Sequence, residues 1–104
     1  MTSKKAPVHP GEILREEYLR PLKLTAYKLA KDLGIPANRV TAILNEQRAV
    51  TADTAVLLGH YFGTSAELWM NLQARYDLRI AERAAAARLR KLPRHGRAGA
   101  IHAG

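Results

Sequence analysis

Two short groups of apolar residues, each spaced for one face of a helix, lie between residues 25 and 45. Positions three or four apart share a helix face, and the groups consist of Leu29, Ala30 and Leu33, and of Val40, Ile43 and Leu44. Gly34 separates them, because glycine readily takes the left-handed conformation that follows a helix end. Pro36 then suits the start of a second helix. The pattern predicts a helix–turn–helix corner, a unit that binds DNA in many proteins.

Helical spacing recurs on both sides of this corner, and no run of residues alternates with the period of a β-strand. A first helix is expected to start at Pro10 and to end at Pro21. Thr25 and Thr51 are expected to cap the second and fourth helices. The run from Thr64 to Glu67 predicts a capping box that opens a fifth helix, with Gly63 ending the fourth. The sequence therefore predicts an all-α fold of five helices.

Composition divides the chain into an N-terminal arm (1–8), a helical domain (9–82) and a basic C-terminal extension (83–104). Glu82–Leu92 has a high helix propensity and is expected to lengthen the last helix as far as Pro93. Pro93–Gly104 has little to bury and is expected to be disordered. The net charge is +8, but residues 83–104 hold six Lys and Arg and no acid. Overall basicity is therefore a weak argument for specific DNA binding.

Several classes of protein do not fit this sequence. It has no cysteine, so disulfides and thiolate metal sites are excluded and a reducing cytoplasm is expected. No apolar run is long enough to cross a membrane, and the N-terminus lacks the apolar region of a secretion signal. No nucleophile, phosphate-loop or metalloprotease motif is present, and the four histidines are scattered and expected at the surface. We expect no catalytic activity, no metal and no cofactor.

In a DNA-binding corner, the N-terminal side chains of the second helix meet base edges in the major groove. The second helix of the corner, which is the third helix of the chain, is called the recognition helix. Its base-facing candidates are Ala37, Asn38, Arg39, Thr41 and Ala42. Tyr27 and Lys28 follow the start of the preceding helix, where phosphates bind. An unrelated helical corner remains the alternative, against which the polar residues at 38, 39 and 41 argue.

The last helix carries an apolar stripe formed by Trp69, Leu72, Tyr76 and Ile80. The stripe either closes the core or pairs with its copy in a dimer. DNA-binding helix-turn-helix proteins are often two-fold dimers on palindromic sites, so we expect Trp69, Leu72 and Tyr76 at a dimer interface.

Three segments together resemble one family: HPGEIL (9–14), the corner at 25–45, and TADTAVLLGHYFGTSAELWMNLQARYDL (51–78). The chain is similar there to the HigA/VapI-type antitoxins of the lambda-repressor-like, Xre-type helix-turn-helix proteins. The resemblance implies a cytoplasmic dimer that binds double-stranded operator DNA, represses its own operon and neutralises a RelE/HigB-like mRNA-cleaving toxin. It assigns phosphate contacts to Tyr27, Lys28 and Asn45, and dimer contacts to the last helices. The basic extension lies outside the shared pattern.

Two other functions remain open at this point. One is an Xre-type repressor without a toxin partner, which the neighbouring reading frame would distinguish. The other is a protein-interaction module that has kept the corner without binding DNA.

Overall fold

The computed structural model describes residues 6–95, and these form five helices and no strand. Helix α1 joins Pro10–Ile13, Leu14–Leu19 and Arg20–Leu22, and it is followed by α2 (Ala26–Leu33), α3 (Ala37–Leu44), α4 (Ala52–Phe62) and α5 (Ala66–Lys91). The expected all-α, five-helix fold is confirmed for this part of the chain. The expected arm is described only from residue 6, and residues 96–104 of the extension lie outside the described residues.

The centre of α1 is a π-helix, in which each backbone hydrogen bond spans one residue more than in an α-helix. The Arg20 N–H accordingly donates to the Arg15 carbonyl. The expected end at Pro21 was wrong, because the helix continues to Leu22 and Lys23 then takes a left-handed conformation. A proline in a regular helix collides with the carbonyl four residues earlier, and the wider turn before Pro21 relieves this conflict.

Trp69 lies at the centre of the core, where its side chain is completely buried. Its ring is 5.2 Å from that of Tyr18 between centroids, and its indole N–H donates to the Thr64 hydroxyl at 2.9 Å. The expectation that Trp69 contacts a second chain was therefore wrong. Helix α1 covers it through Tyr18, a long-range contact that the spacing on α5 alone does not reveal. Leu72 and Tyr76 are half-buried.

The helix caps follow the sequence in part. Thr25 caps α2 by accepting a hydrogen bond from the Lys28 N–H at 3.0 Å, as expected. Thr51 precedes α4, but its hydroxyl donates to Asp53 instead of accepting from the helix. Ser65, not Thr64, caps α5 by accepting from the Leu68 N–H at 3.0 Å. The expected capping box was wrong, because the Thr64 hydroxyl accepts from Trp69 and the residue three positions after Ser65 is Leu68, which cannot complete such a box.

His9 caps the first helix from a buried position. Its Nδ1 accepts a hydrogen bond from the Gly11 N–H at 2.8 Å, and its ring meets the edge of Tyr76 at 4.8 Å. The expectation of a surface histidine was wrong here, since only 3% of His9 is exposed. Burial lowers the His9 pKa, partly opposed by the charges of Glu46 and Asp77. The neutral ring is the form that can accept this hydrogen bond.

Gly11 brings the backbone of α1 against the recognition helix, α3. A Cβ atom at residue 11 would lie 1.8 Å from the Ile43 carbonyl oxygen and 2.9 Å from its carbon. Both atoms belong to the backbone, so they cannot move aside as the end of a flexible side chain can. Only glycine permits this approach without separating the two helices.

Helix α5 continues without a break across residue 82, where the basic extension was expected to begin. It ends at Lys91, and Leu92 is extended before Pro93, as is usual for a residue that precedes proline. From Asp77 onward its residues are exposed except for half-buried Ala85. Among residues 6–95, none of the helices has the length and apolar character needed to cross a bilayer.

The contact at Gly11 predicts that Gly11→Ala destabilises the fold by about 1–3 kcal/mol or more, because the added methyl group overpacks two backbones. Urea unfolding at constant pH measures this change in the free energy of unfolding. Gly63→Asn is the control, because a Cβ atom at residue 63 would have no other atom within 4 Å. The backbone φ at Gly63 is 72°, a left-handed conformation that asparagine tolerates. An alanine variant as stable as this control would contradict the close contact.

Candidate nucleic-acid interface

One side of the recognition helix α3 is exposed and carries small and polar side chains. Ala37, Asn38 and Thr41 are exposed and Ala42 is half-buried, while Val40, Ile43 and Leu44 face the core. Asn45 follows as the exposed C-cap. The helix thus buries an apolar face and leaves the predicted base-facing row at the surface.

Asn38 and Thr41 differ in how free their polar groups are. Within residues 6–95, the Asn38 amide has no hydrogen bond, so both its donor and its acceptor are available to a ligand. The Thr41 hydroxyl donates to the Ala37 carbonyl one turn earlier, at 2.9 Å. Its methyl group therefore remains the free contact surface, which suits a thymine methyl.

Arg39 belongs to a different part of this surface from the one the sequence predicted. Its guanidinium forms an ion pair with Asp53 of α4, at 3.4 Å between Nη1 and Oδ2, and its side chain is only 26% exposed. Arg39 is thus not presented as a free base-facing side chain. Asp53 lies on the next helix, 14 residues after Arg39. Helical spacing within α3 therefore cannot predict that the two residues pair.

The start of α2 presents Tyr27 and Lys28 beside this row. Tyr27 is 70% exposed. Lys28 is exposed too, but its ammonium group pairs with Asp32 at 3.1 Å, and its backbone N–H is already bonded to Thr25. Asp32 also accepts a 2.6 Å hydrogen bond from the Tyr61 hydroxyl of α4.

Two carboxylates therefore lie on the candidate surface, and each is stabilised in its charged form. The hydrogen bond from Tyr61, followed by that from Lys28, lowers the Asp32 pKa, and the same contact raises the pKa of the Tyr61 hydroxyl. The hydrogen bond from Thr51 is the main cause that lowers the Asp53 pKa, with a smaller contribution from Arg39. Both carboxylates are ionised at neutral pH.

One side chain from another helix fixes the C-terminal end of α3, and a second fixes the loop that follows it. Arg15 of α1 donates to the Leu44 carbonyl and pairs with Glu46 at 3.6 Å. Buried Gln73 of α5 accepts a 2.7 Å hydrogen bond from the Val50 N–H. The recognition helix and the loop after it are thereby tied to both the first and the last helix.

Sequence reasoning missed these anchors. Arg15 and Gln73 are polar residues of helices whose partners lie 29 and 23 positions away along the chain. Gly11 carries a partial signal, since a glycine within the first turn of a helix usually has a packing reason. Across residues 6–95, no group of three or more acidic, histidine or cysteine side chains is arranged to hold a metal ion.

Comparison with known proteins identifies the family to which this corner belongs. The sequence pattern that defines the helix-turn-helix family matches residues 14–69. The chain is 55% identical to virulence-associated protein I of Dichelobacter nodosus over 75 residues, which cover 72% of this chain and 69% of that protein.

Two solved structures have the same fold. A HigA-family addiction module antidote protein from Coxiella burnetii is 47% identical, with a TM-score of 0.81 over 88% of this chain and 100% of that one. The Pseudomonas aeruginosa antitoxin HigA, solved with the higBA promoter, is 43% identical. Its TM-score is 0.81 over 84% of this chain and 96% of that one.

Proposed function

Because the chain belongs to the helix-turn-helix family that includes the HigA-type antitoxins, we propose that it binds operator DNA and represses transcription of its own operon. Its relatives are named as antitoxins and as helix-turn-helix transcriptional regulators rather than as enzymes. In this proposal the recognition helix α3 lies in the major groove, and the protein acts in the cytoplasm.

The observation that carries the proposal is the free amide of Asn38 on a rigidly held helix. Asparagine can pair with the N6 and N7 atoms of adenine through two hydrogen bonds. Such readout requires the helix to be fixed before DNA arrives, because a loosely held side chain loses entropy on binding. The contacts of Gly11, Arg15 and Gln73 with α3 and its following loop support this rigidity.

Phosphate contacts complete the proposed interface. Tyr27, Lys28 and Asn45 flank the base-facing row on the surface and can donate hydrogen bonds to phosphate oxygens. These contacts orient the protein without reading sequence, whereas Asn38 and the Thr41 methyl group discriminate between bases. Ala37 and Ala42 allow close approach of the helix to the groove.

Asn38→Ala is expected to weaken binding to the DNA upstream of the gene by about 1–3 kcal/mol, because one bidentate base contact is lost. Affinity for random DNA should change little. Fluorescence anisotropy with labelled duplexes of both kinds measures the two affinities. When each base pair of the upstream duplex is substituted in turn, the Asn38→Ala variant should show a relaxed base preference at one position.

Asn71→Ala serves as the matched control, since Asn71 is an exposed asparagine on α5, outside the proposed interface. It should leave both affinities unchanged. Equal weakening of upstream and random DNA by Asn38→Ala would contradict base readout by Asn38.

We further propose that the protein is a dimer, with its interface on the projecting half of α5. What we call the α5 stripe consists of Leu78, Ala81, Ala85 and Leu89, which steps of three and four residues place on one helix face. Leu78 and Leu89 are 58% and 53% exposed. A projecting helical segment without packed neighbours is only marginally stable in water, so a second chain that covers this stripe would stabilise it.

Charge favours a second copy in the antiparallel orientation. Asp77 and Lys91 lie on the same side of the α5 stripe, near its two ends. When two such helices run in opposite directions, Asp77 of each copy lies beside Lys91 of the other, and flanking charges of this kind select orientation.

Leu72 and Tyr76 were also expected at a dimer interface, but they lie on the other face of α5, where Leu72 packs against the core and Tyr76 meets His9. The proposed interface therefore does not include them, and Trp69 likewise stays in the core.

The double variant Leu78→Ser, Leu89→Ser is expected to convert a dimer to a monomer at micromolar concentration, because it removes both exposed leucine side chains from the stripe. Light scattering during gel filtration measures the mass. Val56→Ser is the control, since Val56 is also 58% exposed but lies on α4. A double variant that keeps the dimer mass would contradict the assignment.

As an antitoxin, the protein is proposed to neutralise a RelE/HigB-like toxin that cleaves mRNA. The support is the family, whose members include Antitoxin HigA-1 of Vibrio cholerae. We assign no residues to the toxin-binding surface.

Co-expression with the product of the adjacent reading frame tests this part of the proposal. We expect the adjacent reading frame to encode a small basic protein that arrests growth when it is expressed alone. When the two proteins are expressed together, they should co-purify and growth should resume. An adjacent product that neither arrests growth nor binds would instead indicate a repressor without a toxin.

A further inference from the structure

Two carboxylates, on the exposed side chain of Asp53 and the largely covered side chain of Asp32, each pair with one cation of the candidate interface. This arrangement opposes the simple electrostatic attraction between the protein and DNA. We propose that Asp53 and Asp32 are specificity-determining residues, which restrain Arg39 and Lys28 so that the protein discriminates against non-operator DNA. This inference rests on the proposed function, because it concerns how the DNA-binding surface distinguishes its target.

Asp53 is held in place from several directions. It accepts a hydrogen bond from the Thr51 hydroxyl and pairs with the Arg39 guanidinium at 3.4 Å. It also lies in the first turn of α4, where the helix dipole stabilises a negative charge. Its side chain nonetheless remains 68% exposed, so its charge faces solvent beside the recognition helix.

Asp32 is similarly constrained on the other side of the surface. The Tyr61 hydroxyl donates to Asp32 Oδ2 at 2.6 Å, and Lys28 Nζ pairs with Oδ1 at 3.1 Å. Tyr61 belongs to α4, so this carboxylate is fixed by a helix other than its own. Lys28 is one turn away on α2, and its pairing with Asp32 limits the positions that its ammonium group reaches.

The Asp53 ion pair is not explained well by stability alone, whereas Asp32 also joins α2 to α4 through Tyr61. Exposed ion pairs contribute little to folding, because water and salt screen them. Each carboxylate also repels DNA phosphates and partly neutralises a cation that would otherwise attract them. Both effects weaken the attraction of the surface to any polyanion.

The two carboxylates do not weaken binding to all DNA sequences equally. Binding to non-operator DNA depends almost entirely on attraction between cations and phosphates, so restrained and partly neutralised cations weaken it directly. At an operator, base contacts fix the register of the protein and bring phosphates to defined positions. A cation already held near such a position loses less entropy when it binds. The carboxylates therefore widen the difference between operator and random DNA.

Fluorescence anisotropy with the full-length protein tests this inference, using a labelled duplex from upstream of the gene and a random duplex of equal length across a salt series. Asp53→Asn is expected to raise affinity for random DNA by about threefold and to steepen the log–log salt dependence by about 0.9 for each phosphate newly contacted. Affinity for the upstream duplex should rise less, so the ratio of the two affinities falls. Asp32→Asn should act in the same direction, and the double variant should act more strongly.

Glu17→Gln is the control, because Glu17 is exposed and lies on α1, away from both the recognition helix and the α5 stripe. It removes the same charge from outside the interface and should leave the ratio unchanged. Tyr61→Phe keeps the ring but removes the hydrogen bond to Asp32, so it should lower the ratio by a smaller factor than Asp32→Asn. Thermal melting of each variant verifies that it is folded.

The outcomes separate the two proposals. If wild-type protein prefers the upstream duplex but Asp53→Asn and Asp32→Asn behave like Glu17→Gln, the role of the carboxylates is contradicted and the proposed function stands. An equal rise in affinity for both duplexes also contradicts it. If wild-type protein shows no preference for the upstream duplex, the proposed function fails, and the specificity role fails with it.

Discussion

The backbone of α1 lies directly against the backbone of the recognition helix at Gly11, where a single methyl group would overlap the Ile43 carbonyl. The rest of the arrangement depends on this approach. It allows His9 to cap α1 from a buried position against Tyr76 and allows Arg15 to reach the last turn of α3. Gln73 then fixes the following loop from the opposite side. The recognition helix is thus held by α1 at its C-terminal end and through its loop by α5, which leaves the exposed side of its N-terminal half free to meet a ligand.

The positive charge of the chain is concentrated outside the candidate interface. The net charge of +8 is mostly contributed by residues 83–104, whereas the candidate interface pairs its cations with Asp32 and Asp53. General attraction for nucleic acid and selective reading of bases are thus assigned to different parts of the chain. An interface with few free cations gains its affinity from a correct sequence rather than from phosphates alone.

The sequence predicted those features that depend on neighbouring residues. Gly34, Gly63 and Pro93 marked helix ends correctly, because backbone conformation at glycine and before proline is a local property. The resemblance to the HigA/VapI-type antitoxins is confirmed by the family match and the solved relatives. The exposure of Ala37, Asn38 and Thr41 on one side of the recognition helix followed from the helical period, and their function is a proposal.

Features that depend on distant contacts could not be predicted in this way. Spacing on α5 identified Trp69 as apolar but not that α1 covers it with Tyr18. Thr64 and Ser65 are both plausible caps, and only the hydrogen bond from Trp69 decides between them. The pairing of Arg39 with Asp53 likewise joins two helices whose relative placement is a property of the whole fold.

The most direct test of the central claim is a parallel titration of the wild-type protein onto its own upstream DNA and onto random DNA at physiological salt, since salt sets the background of non-specific binding. The account predicts a preference of about a thousandfold or more for the upstream duplex, with two chains bound per site. Equal and strongly salt-dependent binding to both duplexes would contradict it, because basic residues alone would then explain the attraction and α3 would have no part in reading sequence.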